Sequence, residues 1–171
     1  MLDNNGLYLK EIKHDDGIEG LKFLKDLVNE EGIMVAPAPK DIDVDTYSLW
    51  LQSKEDMAKG INLPEGFIPC TTYWVMLDKE IIGVANIKHY LNDFLMKKGG
   101  HIGLAIGKEH RGKGIGLLTT KLLIQKARDE FDIQDILFTN EPDNIVSRNV
   151  CEKLGAELTD IDEHCHYWLR K

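Results

Sequence analysis

Apolar positions change their spacing along this chain near residue 72. Before it, Leu21, Leu24 and Val28 recur at helical intervals, and Tyr47, Trp50, Leu51 and Met57 do so again. That spacing lays an apolar stripe along one side of a helix. The first predicted helix opens at Asp15 or Asp16 as a cap, runs to about Asn29 and ends at Glu30-Glu31-Gly32; the second opens at Asp43 or Asp45. Residues 7–10 alternate as a first strand, and Pro37, Pro39, Pro64, Gly66 and Pro69 mark loops. From residue 72 the chemistry is that of strands. Segments 72–77 and 81–88 are rich in β-branched and aromatic residues, and Asp78-Lys79-Glu80 joins them as a hairpin. Residues 90–100 read as a link to a strand over 101–106. The clearest helix is 117–131, where Leu117, Ile124 and Phe131 lie on one line and Leu118, Leu122, Leu123 and Ala127 widen it. A strand over 134–139, a helix over 144–154 stopped by Gly155, and a final strand pair ending in 164–169 complete the order. The prediction is an α/β fold (an α+β mixed sheet) flanked by helices, in a single domain spanning residues 1–171.

Composition narrows the classes. With 43% hydrophobic and 29% charged residues the chain reads as soluble and globular. No apolar run approaches the roughly 20 residues of a membrane span. Residues 1–5 lack the basic-then-apolar form of a signal peptide. Cys70, Cys151 and Cys165 are odd in number and unpaired in spacing, which predicts a reducing, cytoplasmic setting. A net charge of −8 is the opposite of a nucleic-acid binder's basic surplus. It mildly favours a cationic acceptor by steering, beside the plainer role of keeping the surface solvated. Neither a nucleic acid nor a membrane is expected as a partner.

The candidate chemistry sits in Arg111-Gly112-Lys113-Gly114-Ile115-Gly116, between the strand over 101–106 and the long helix. Alternate glycines leave the main chain bare, so successive N–H groups can point into one concavity in front of a helix N-terminus. With Arg111 and Lys113 this predicts a diphosphate cradle. The spacing from Gly107 to Lys113 meets the first part of a P-loop, but Gly114 stands where that motif needs Ser or Thr for magnesium. The dinucleotide fingerprint fails as well, because Leu117 occupies its third glycine position.

Arg111-x-x-Gly114-x-Gly116 resembles the coenzyme A pyrophosphate loop of GNAT-type N-acetyltransferases. Asn144-Ile145-Val146-Ser147, followed by Glu152-Lys153-Leu154-Gly155-Ala156, resembles that family's later motif. Gly99-Gly100-His101-Ile102-Gly103 is similar to a bacterial branch described as predicted acetyltransferases. The resemblance covers about residues 101–158. It implies a central, mostly antiparallel sheet flanked by helices, acetyl-CoA as cosubstrate, no metal, and direct transfer to a primary amine in a ternary complex. By position it implies that backbone groups of Leu104, Ala105 and Ile106 hold the pantetheine arm and thioester. Residues 111–116 (Arg111, Gly112, Lys113, Gly114, Ile115, Gly116) would hold the pyrophosphate, and Asn144 and Ser147 would flank the arm. Many members place a Tyr acid seven residues after the motif Asn; that position holds Cys151, a candidate acid or simply a small buried helix residue.

Proton removal from an acceptor amine calls for a base. His101, at the start of the strand feeding the loop, is the first candidate, set against a strand-end histidine bonded to backbone. Glu109, His110 and His89 follow. Asn144 reads equally as a helix cap after Pro142-Asp143. His164-Cys165-His166 puts two histidines on one strand face, which is short of a zinc site and suits an acceptor-pocket lining. Trp50, Trp74 and Trp168 read as core, with Trp74 also a candidate border of that pocket. An exposed last strand would serve a homodimer. The rival readings are a non-catalytic acyl-CoA-binding or regulatory module, and a small nucleotide-dependent kinase resting on the partial P-loop.

Overall fold

A computed structural model describes residues 6–30 and 35–171. The chain order is β1 (Leu7–Glu11), α1 (Glu19–Leu27), α2 (Val44–Lys59), β2 (Cys70–Leu77), β3 (Glu80–Lys88), α3 (Asp93–Lys97), β4 (Ile102–Ile106), α4 (Ile115–Phe131), β5 (Ile136–Asn140), α5 (Ile145–Lys153), β6 (Glu157–Ile161) and β7 (Cys165–Leu169). The α/β fold with helices flanking the strands is as the patterning predicts, but every strand pair is antiparallel rather than mixed. The strands are divided into an antiparallel four-stranded sheet, β1-β2-β3-β4, and an antiparallel three-stranded sheet, β5-β7-β6.

Local chemistry explains most boundaries. Asp43 closes a capping box on α2: its Oδ1 accepts from Thr46 N at 2.9 Å and Thr46 Oγ1 accepts from Asp43 N at 2.8 Å. Gly60, at φ 72°, ends that helix. The expected cap of α1 is not realised. Ile18 occupies the cap position, and Asp16 instead takes the Trp74 indole N–H at 3.0 Å and the Lys10 ammonium at 2.6 Å. Glu31 and Gly32, expected to end that helix, lie outside the described residues. The link over 90–100 contains α3, capped by Asn92 through Leu95 N at 2.9 Å.

Two cores sandwich the four-stranded sheet. One joins Leu123, Ile124 and Ala127 of α4 and Cys151 of α5 to Val75, Ile82, Ile87, Ile106, Ile136, Phe138 and Tyr167, so it spans both sheets. The other joins Leu21 and Leu24 of α1 and Tyr47, Trp50 and Leu51 of α2 to Trp74, Met76, Val84 and Ala105. Strand β4 therefore gives Ile102 and Ile106 to the α4 side and Ala105 to the α1–α2 side. The last strand is not an edge: β7 lies between β5 and β6, and the exposed edge is β6. No helix among the described residues is long and apolar enough to cross a membrane.

Candidate functional site

The glycine-rich segment forms a bare turn between β4 and α4. Lys108–His110 make one 3-10 turn, Gly112 follows at φ 75°, and Gly114, at φ 79°, is the N-cap of α4 with no side-chain cap. A Cβ added to Gly112, Gly114 or Gly116 would meet nothing within 4 Å. The first α4 bond runs from Leu118 N to Gly114 O, and the amides of residues 112–117 donate to no acceptor among the described residues. Aligned donors at the positive end of a 17-residue helix form a fitting cradle for an anionic diphosphate. Arg111 braces the turn: its Nε donates to Ile106 O at 2.7 Å and its Nη2 to Glu30 Oε2 at 2.6 Å. Lys113 Nζ folds back onto Glu109 O at 2.8 Å.

Strands β4 and β5 are hydrogen-bonded at one end only among the described residues. His101 N donates to Leu137 O at 2.9 Å, Leu137 N donates to His101 Nδ1 at 3.0 Å, and Gly99 N donates to Thr139 Oγ1 at 2.6 Å. A Cβ on Gly100 would lie 2.4 Å from Leu137 O, so glycine permits this close approach. Beyond the clasp no hydrogen bond among the described residues joins Ile102–Ile106 to β5. The backbone edge of Leu104, Ala105 and Ile106 thus borders a gap that leads into the bare turn.

The start of α5 flanks the same region. Asn144 caps the helix, its Oδ1 accepting from Ser147 N at 3.1 Å. Ser147 Oγ donates to Asn140 Oδ1, and Asn140 Nδ2 reaches Cys151 Sγ at 3.4 Å. The sequence reading missed Asn140; its only signal is an Asn closing a strand before Glu141-Pro142. Cys151 is 2% exposed, and burial pushes its thiol up to about 11. His101 is buried, and desolvation, then the Lys88 charge, bring its imidazole down to about 4. His89 bonds Thr71 Oγ1 at 2.8 Å and stacks on Phe131. His110 lies 3.4 Å from Glu80, and Glu109 is exposed. His164 and His166 each meet one carboxylate at 3.2 Å, Glu141 and Asp162 respectively. Among the described residues no group of three or more His, Cys, Asp or Glu converges as metal ligands. Trp74 is buried in the α1–α2 core, whereas Trp168 meets His101 edge-on and borders an open depression of about 560 Å³ with Asp93, Asp160, Asp162 and His166.

A family profile for the acetyltransferase (GNAT) domain matches residues 7–157. Among curated proteins none matches the sequence. Solved structures share the fold. The Campylobacter jejuni N-acetyltransferase PseH in complex with acetyl coenzyme A has a TM-score of 0.65 at 12% identity, over 96% of this chain and 99% of that one. RimL, a ribosomal L7/L12 alpha-N-protein acetyltransferase, has a TM-score of 0.66 at 16% identity, over 100% and 93%. An acetyltransferase from Agrobacterium tumefaciens has a TM-score of 0.64 at 15% identity, over 96% and 91%.

Proposed function

The chain belongs to the GNAT acetyltransferase family, and from that premise we propose that it moves the acetyl group of acetyl-CoA directly onto a primary amine. Acetyl-CoA-dependent acetyl transfer follows from membership; the amine and the single-step route are the reading added to it. The observation that carries it is the row of unpartnered amides over residues 112–117, facing open space at the end of a strand gap. In this reading Arg111, Gly112, Lys113, Gly114, Ile115 and Gly116 hold the pyrophosphate. The arm runs along the free edge of β4 past Leu104, Ala105 and Ile106, with Asn144 and Ser147 on its other side. The neutral amine attacks the thioester carbonyl carbon, and main-chain donors stabilise the negative oxygen that develops. The C–S bond then breaks, the amine proton passes to water, and the thiolate is protonated from water. A thiol is a good enough leaving group for that. His101 enters this scheme as the clasp between β4 and β5, and Cys151 as a core thiol.

Gly116→Val tests the cradle cleanly. Position 116 lies inside the first turn of α4 at a backbone any residue adopts, and the new side chain meets only open space. Acetyl-CoA affinity by calorimetry should fall at least tenfold, with a thermal midpoint within a few degrees of the parent. Unchanged affinity in the folded variant refutes the cradle. A second reading, a non-catalytic acyl-CoA-binding module, is favoured by the burial of Cys151 where many relatives carry an acid. Release of free coenzyme A with an amine present separates the two.

A further inference from the structure

On the face of the four-stranded sheet that carries α1 and α2, side chains stand in rows across β2, β3 and β4. Trp74, Val84 and Ala105 make an apolar row within the α1–α2 core. The next row, one strand repeat of about 7 Å away, is Thr72, Asn86 and Gly103. The third is Cys70, Lys88 and His101, with Lys88 N donating to His101 O at 2.8 Å. Lys54 of α2 is an electrostatic neighbour of Cys70, as Lys88 is. A sheet face covered by helices has thus turned from apolar to polar within two rows.

These polar groups are under-satisfied. Asn86 is 8% exposed, and its Oδ1 is buried with no hydrogen-bond partner among the described residues. Lys54 is also 8% exposed, and it has the face of Trp50, 5.2 Å from Nζ to the ring centroid, but no carboxylate among the described residues. Lys88 likewise forms no ion pair among them, and desolvation lowers both ammonium groups. A desolvated cation without an anion is costly to keep. Gly103 matters as well: a Cβ there would sit 2.8 Å from Asn86 Oδ1 and 3.2 Å from Val35 Cγ2, so only glycine fits between the buried oxygen and that side chain. The other titratable groups on this floor are Cys70 and His101. His101 is held neutral, so the field is cationic.

We infer that this floor, on the side of β4 away from α4, receives the acceptor, and that the acceptor is a small amine carrying its own carboxylate, of the amino-acid class. Lys54 and Lys88 take the carboxylate, and Asn86 Oδ1 accepts from the amine N–H beside the gap at Gly103. This rests on the acetyl-transfer reading. It opposes the cationic acceptor that the net charge alone favours, and for which Asp93, Asp160 and Asp162 would be the attraction.

The test is coenzyme A release by the full chain with amino acids, their carboxamides and polyamines as matched acceptors, beside calorimetry with acetyl-CoA. At least one free amino acid should exceed its carboxamide tenfold or more in kcat/KM. Lys88→Met should raise the KM for that acid tenfold, leave acetyl-CoA KM within twofold, and be rescued by Lys88→Arg. Lys54→Met should lose acid preference while raising the thermal midpoint by about 2–4 °C, roughly 1 kcal/mol in a domain of this size. Preference for carboxamides or polyamines overturns the inference, as does no turnover of any carboxylate-bearing acceptor while acetyl-CoA still binds. Failure to bind acetyl-CoA would instead sink the acetyl-transfer reading.

Discussion

At residue 151 two roles compete, and burial favours packing over proton donation. The thiol is 2% exposed, is raised to about 11, and takes a bond from Asn140 in a chain that ends at Ser147. A proton donor must reach the leaving sulfur, and this one is packed among Ile136, Phe138 and Tyr167. Cys151→Ala should therefore keep turnover within about threefold and cost roughly 1–2 kcal/mol for the small void and the lost contact with Asn140. Steady-state kinetics and denaturant unfolding check the two halves, and a hundredfold loss of kcat would restore the acid role. Residue-level legibility followed the same divide. The bare turn was readable because a backbone without side chains can be written only as glycine. That His101 bonds backbone was among the readings; that the amide is Leu137's on another strand was not, because amides leave no mark in side-chain identity.

Among the elements, the relation of β4 to β5 governs the site. These edges are hydrogen-bonded at Gly99 and His101 and nowhere further along among the described residues, so the clasp sets the mouth of the gap. Gly100 is doubly constrained, by φ 57° and by the carbonyl of Leu137. Gly100→Ala should cost about 2–3 kcal/mol from left-handed strain and the clash. It should also weaken acetyl-CoA binding more than an equally destabilising change in β6, because the clasp shifts. Paired unfolding and calorimetric titrations measure this; equal loss of affinity in both variants would detach the clasp from the site. Element order was legible because period and turn chemistry are local. The parting of β4 from β5 came from the family resemblance and not from the periodicity, since both are ordinary apolar strands whose separation depends on what fails to bond between them. The helix α3 hid in a segment too short for a periodic stripe. The cap of α1 was misread because Asp16 finds Trp74, 58 residues away, a better partner.

Across the whole molecule, two titrating ties hold parts distant in sequence, and they predict how the fold fails in acid. Glu55 of α2 accepts from His14 N at 2.8 Å, meets His14 Nδ1 at 2.6 Å and Lys59 at 2.6 Å, binding the segment after β1 to α2. These bonds hold its carboxyl at about 2, from an ordinary 4.5. Its contribution is full above about pH 4.5 and is lost as pH falls toward 2. His101 ties the two sheets and titrates higher. Its folded value of about 4 lies below the ordinary 6.5, so the unfolded chain binds the proton first. Stability is intact above pH 6.5 and declines down to about pH 4, by about 3 kcal/mol for a shift of this size. Acid unfolding should therefore weaken the protein in two successive steps, sheet clasp before helix tie. His101→Asn, whose Oδ1 can still accept from Leu137 N, should shrink the upper step, which His89, also lowered by burial, shares, and Glu55→Gln should shrink the lower, which Asp43, Asp135 and Asp162 share. Urea unfolding free energies from pH 7 to 2 for the three proteins measure this. An upper step undiminished in His101→Asn would place the titrating group elsewhere and remove the neutral clasp on which the geometry of the gap depends.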